Sequence, residues 1–119
     1  MSPAEVLAVL ARLHVVVDEV DGRPIIDGVM TGDVVTAARS HRWLFTWGLE
    51  GARGFRDPTT GRRVTHAWHI CDVCDSVQLL DPQRKQTRRC SLTVGCTGRM
   101  LPAAAPRFQP AVMARIVAS

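Results

Sequence analysis

The chain has no tyrosine, only three tryptophans and three phenylalanines, and a single lysine among 119 residues. With so few rings, small aliphatic side chains (Val, Ala, Leu) must fill most of any core. Long apolar runs are also missing. None approaches the roughly 20 residues that a membrane-crossing helix needs. Glu5 and Arg12 interrupt the N-terminus, which has neither the basic start nor the apolar stretch of a secretion signal. These absences predict a cytoplasmic protein with no membrane association. Catalytic constellations are absent too: there is no histidine–nucleophile pair, phosphate-cradling glycine loop or paired carboxylate in an apolar setting. The expectation is a non-enzymatic protein with no catalytic residues and no small-molecule substrate.

Cysteine is absent from the first 70 residues and then occurs four times, as Cys71, Cys74, Cys90 and Cys96. Two residues separate the first pair, five the second, and fifteen lie between the pairs. In a reducing compartment such pairs favour a metal over disulfides. Thiolates on two short loops with a hairpin-sized span between them are what a closed tetrahedral zinc site needs. One structural Zn2+ held by these four cysteines is therefore expected. A rubredoxin-type iron centre and a thiol–disulfide switch are the alternatives. Four thiolate ligands would leave the ion no open position for water or substrate. Gly95 and Gly98 are expected to supply positive-φ turns in the second loop. His66 and His69 lie close in sequence and either could replace a cysteine as ligand, but His69 reads as a surface residue, and Asp72 and Asp75 read as solvent-facing.

Charge divides the chain unevenly. Residues 1–60 carry six Arg against eight Asp and Glu, a net −2, whereas residues 61–119 carry eight Arg and one Lys against three Asp, a net +6. The excess of arginine over lysine fits a GC-rich bacterial or phage genome. The cations Arg84, Lys85, Arg88, Arg89 and Arg99 surround the cysteines in sequence. They can temper the −2 charge of a zinc tetrathiolate. They can equally grip phosphate, because guanidinium forks match its oxygens.

The predicted organisation is α+β: a small α-β-β-α module followed by a β-rich zinc ribbon and a short tail. Residues 1–51 form the first module. Ser2-Pro3-Ala4-Glu5 is a capping box with proline at the first helical position, and Val6, Leu7, Val9, Leu10 and Leu13 give an apolar face. His14 to Val20 reads as a strand, Asp21-Gly22 as a hairpin turn, and Arg23 to Asp27 as the returning strand, an edge because of Pro24. A second helix, capped by Thr31 or Asp33, is expected to run to about Leu49. Trp43 and Trp47 share one of its faces and read as packing or as a stacking platform. Residues 52–63 read as an Arg-rich connector, flexible in preference to a hairpin between Phe55 and Val64. Residues 64–101 form the ribbon, opened by a strand from Val64 to Ile70. In residues 102–119, Val112, Met113 and Ile116 could dock back.

Ser2 to Leu7, Val15 to Val20, Asp21-Gly22 and Val34 to Leu49 together resemble the N-terminal docking domain of tubulysin-type hybrid polyketide and peptide synthetases. The resemblance covers roughly residues 2–50, with Trp43, Phe45 and Trp47 bulkier than that family's aliphatic run. It implies a module that binds a partner peptide at its β-hairpin and can dimerise. The Cys-x-Gly ending at Cys96 to Gly98, followed by Arg99-Met100-Leu101, is similar to ribbons of bacterial and phage proteins that act on nucleic acid. The expected function is an adaptor or accessory factor in DNA or RNA transactions. Its partners would be a protein, at residues 1–50, and nucleic acid or a nucleic-acid enzyme, at the basic half. The alternative is a purely structural or protein–protein module, such as a phage assembly or host-takeover component.

Overall fold

Capping sets both ends of the first helix. In the computed structural model, which describes residues 1–83 and 88–111, α1 spans Pro3–Arg12. The Ser2 hydroxyl accepts the Glu5 backbone N–H at 3.2 Å, and proline occupies the first turn where its missing donor costs nothing. His14, at φ 54°, takes the left-handed position just past the helix. The His14 N–H donates to Ala11 and the Val15 N–H to Leu10, which is the paired pattern of a Schellman stop. His14 and Val15 thus end the helix instead of opening the strand, and β1 begins two residues later than expected, at Val16–Val20.

Asp21 and Gly22, both at positive φ, make the two-residue turn to β2 (Arg23–Asp27), in register Val20 with Arg23. The anticipated second helix is two: α2 (Gly32–Ser40) and α3 (Trp43–Arg53). The break falls at His41, whose ψ of 41° leaves the helical range. Thr31 caps α2 in extended conformation without a side-chain bond.

The expected connector is a hairpin. β3 (Phe55–Arg56) pairs antiparallel with β4 (Arg63–Val64), and the Asp57 N–H donates to the Arg62 carbonyl across its mouth. Its physical basis lies in the turn chemistry: the Asp57 carboxylate accepts the Thr59 N–H at 2.8 Å, and Gly61 supplies φ 68°. The single strand anticipated from Val64 to Ile70 is interrupted at Thr65 and His66, and resumes as β5 (Ala67–Cys71). β5 is the centre of a three-stranded antiparallel sheet between β6 (Val77–Leu80) and β7 (Met100–Pro102).

The remaining strand, β8 (Arg107–Gln109), runs parallel to β1, pairing Val17 with Phe108, and completes a β2-β1-β8 sheet. The start of the anticipated tail is thereby a structural strand. Val112, Met113 and Ile116 lie outside the described residues.

α3 joins the two sheets. It packs on β1, β2 and β8 from one and on β5 and β6 from the other. Two glycines on its face make this approach feasible. A Cβ at Gly48 would fall on the Phe108 ring, and one at Gly51 would lie 2.9 Å from the His66 carbonyl oxygen. The main core follows from this geometry. Val6, Leu7 and Leu10 of α1, Val15 and Val17, Leu44, Phe45 and Leu49 of α3 are buried together, and Trp68 of β5 joins them. Trp43 lies edge-on to Trp68 at 5.8 Å and to Trp47 at 6.0 Å, so the former partly packs while Trp47 is 56% exposed. Among the described residues, no helix is long and apolar enough to cross a membrane.

Candidate metal centre

Two loops at one end of the β6-β5-β7 sheet carry the cysteines. Cys71 is the last residue of β5, and the chain turns back into β6 through Cys74 and Asp75, the latter at φ 59°. The Cys71 N–H donates to Ser76 and the Asp75 N–H to Cys71, closing the turn. The second loop is fastened by the Cys90 N–H to Gly98 (2.9 Å) and the Cys96 N–H to Thr93 (3.1 Å), with Gly95 at φ 76°. Gly98 does not occupy the positive-φ region expected of it. Its role is close approach, since a Cβ there would fall on the Cys71 sulfur.

All four Sγ atoms lie within 4.8 Å of one another. Cys71 and Cys96 are 3.6 Å apart, as are Cys74 and Cys90, so each contact crosses from one loop to the other. That is far longer than a ~2.05 Å disulfide. It is close to the ~3.8 Å edge of a tetrahedron with ~2.3 Å metal–sulfur bonds. Backbone donors already face the sulfurs. The Val73 and Cys74 N–H groups point at Cys71 Sγ (3.4 and 3.5 Å), and the Gly98 N–H points at Cys96 Sγ (3.4 Å). Such donors stabilise thiolates and tune a bound ion. Cys71 and Cys90 are buried, and Leu80 and Met100 pack beside them. The four cysteines could hold one metal ion, and their spacing, donors and partial burial fit that role.

Four thiols this close cannot all ionise without a compensating cation, and their acidities part accordingly. Ser76 and Thr93, whose hydroxyls lie 3.3 and 3.5 Å from Cys74 Sγ, lower the Cys74 pKa to about 5. At Cys96 the Gly98 N–H works to lower the pKa, but burial and the three neighbouring thiols outweigh it and raise it to about 12.

Among the described residues, neither His66 nor His69 joins the sulfur cluster. His69 is buried and not on the surface as expected, because β5 is the central strand; its Nδ1–H donates to the Ala67 carbonyl at 2.8 Å. Asp72 and Asp75 are exposed. Asp72 nevertheless has a task that sequence reasoning missed. Its carboxylate accepts the Arg99 N–H at 2.8 Å while its own N–H donates to the Arg99 carbonyl, tying the two cysteine loops together. A short acidic side chain inside a cysteine loop is the local signal for such a backbone clasp.

Of the basic residues, Arg88, Arg89 and Arg99 are exposed, and an antiparallel bridge sets Arg89 directly opposite Arg99. Arg84 and Lys85 lie outside the described residues. No family model, curated protein or solved structure matches the chain.

Proposed function

We propose that the four cysteines hold one structural zinc ion in a zinc ribbon, and that the chain is a non-enzymatic adaptor or accessory factor in DNA or RNA transactions. In this reading its basic half contacts nucleic acid or a nucleic-acid enzyme, and residues 1–50 dock a protein. The observation that carries the metal assignment is the four-sulfur cage with backbone donors in both loops. A closed sulfur site favours a structural over a catalytic ion, since no ligand position remains for a substrate. The nucleic-acid assignment rests on the Arg89–Arg99 cross-strand pair beside it. Like charges directly opposite in a sheet repel modestly, and a phosphate or the −2 charge of a metal tetrathiolate would relieve that repulsion.

Elemental analysis of protein purified without added zinc tests the first part. One zinc per chain is expected; metal-free, folded protein with four titratable thiols would overturn it. Salt-titrated binding to DNA and RNA tests the second. Phosphate contacts give a steep loss of affinity with salt.

A protein–protein or structural module is the second reading, and one observation favours it. Beside the edge strand β2 lies a groove of about 600 Å³ whose lining includes Ile26, Met30 and Val35 together with Arg39 and Arg42. An extended acidic peptide would find both backbone groups and cations there.

A further inference from the structure

The β3-β4 hairpin carries a feature that neither core uses. Phe55 is 54% exposed, yet its ring stacks on the His66 imidazole, with centroids 5.7 Å apart and planes 21° from parallel. The stack lines a depression of about 310 Å³ that also contains Arg88. A second depression of about 190 Å³ holds Arg62 and Arg63. The two adjoin as a trough with Asp57, Val64 and Asp81 in their shared walls. Arginines line both depressions, and the half-exposed Phe55 ring lines one of them.

Arg63, paired with Arg56 across the hairpin, is held in place by its Nε–H, which donates to the Arg53 carbonyl at 2.7 Å. Two carboxylates also line the trough beside its three arginines, each charged and accepting a backbone N–H. Asp57 accepts from the Thr59 N–H (2.8 Å) and Asp81 from the Gln83 N–H (2.9 Å).

We propose that this trough binds single-stranded nucleic acid, with an unpaired base stacked on Phe55 and backbone phosphates on Arg62, Arg63 and Arg88. This rests on the nucleic-acid reading above and names its surface and ligand class. The single strand follows from the aromatic face, because a paired base has no free face to offer a ring set in a depression. Aromatic stacking and arginine forks together are the two components of sequence-tolerant single-strand binding.

The test is fluorescence anisotropy of the zinc-loaded full chain with a labelled oligothymidine single strand and with a duplex of equal length. Single-strand preference is expected. Phe55→Ala should weaken single-strand binding by about 5- to 100-fold at a small cost in thermal stability, since the ring is half exposed and outside the core. Phe55→Trp should retain binding, and Arg88→Ala should reduce the salt slope by about one. If the duplex binds as tightly as the single strand, and Phe55→Ala is silent while Arg89→Ala and Arg99→Ala weaken binding, the trough is overturned and the broader reading stands. Absence of binding to either probe at 50 mM salt would overturn both, leaving an acidic protein surface as the ligand of these arginines.

Discussion

Among the described residues there are two cores built from different materials. The larger buries eleven side chains, apolar but for the unpartnered indole N–H of Trp68, drawn from α1, β1, α2, α3 and β5 and the turn into β1. The smaller buries Leu80 and Met100 with Cys71 and Cys90, and its partly buried neighbours are Cys74 and Cys96. The first can hold through water exclusion, at about 1.5–3 kcal/mol for each large aliphatic or aromatic side chain. The second has too few carbons for that. Its centre is four sulfurs, and four thiolates repel unless a cation sits among them. The first core should therefore hold without metal, whereas the order of the two cysteine loops should depend on it.

The largest effect is expected from loss of a ligand. Cys90→Ser is expected to abolish stoichiometric metal binding, and hydrogen exchange should show protection lost in the two cysteine loops and Met100–Pro102, while Pro3–Arg12 and the part of β5 around Trp68 stay protected. Structural zinc is worth about 10–16 kcal/mol in small finger peptides, so no packing in the smaller core can substitute. Equal loss of protection in α1 would mean that the two cores are one cooperative unit.

Phe45→Ala addresses the other core. A cost of about 3–5 kcal/mol is expected in denaturant unfolding, with one metal per chain still bound after refolding. Gly98→Ala is a milder probe of the sulfur site. The new methyl meets Cys71 Sγ, and metal affinity in a competitive chelator titration should fall by about 10- to 100-fold. Acid should also weaken the metal. The ligands bind as thiolates, and the Cys96 thiol, with its raised pKa, holds a proton at neutral pH that the ion must displace. Affinity should therefore drop by about tenfold per pH unit for each displaced proton, with proton release visible by calorimetry in two buffers. The smallest effect is expected at His14→Gly. Relief of the left-handed conformation at φ 54° should raise the melting free energy by about 0.5–1 kcal/mol, without touching the metal.

The sulfur site was the most legible part of the chain. Cysteine is confined to four positions, and the ligand atoms of all four converge within one ion's reach, with neither nearby histidine among them. The Ser2 cap, the Asp21-Gly22 turn and the edge position of β2 were legible for a similar reason: each depends on residues within a few positions of one another. Two local features carry only weak signals in the sequence. His14 took a position usually given to glycine, and nothing in the composition of residues 31–49 marks the break at His41. The basic loop was legible only as charge; Arg89 and Arg99 became a pair through strand register.

What the sequence alone determined, then, is the chemistry: α+β character, four sulfurs on two short loops, and an excess of arginine in the second half. What only the tertiary structure decided is how distant segments meet. β8 lies parallel to β1 across roughly 90 residues of chain, Phe108 reaches α3 because Gly48 offers no side chain, and Trp68 leaves the sulfur-bearing sheet to enter the core of the first half. The physical reason is that caps, turns and cysteine loops are settled by neighbouring dihedrals and donors. Parallel pairing and shared cores depend instead on which apolar surfaces find each other after collapse, and no periodicity in the sequence records that choice.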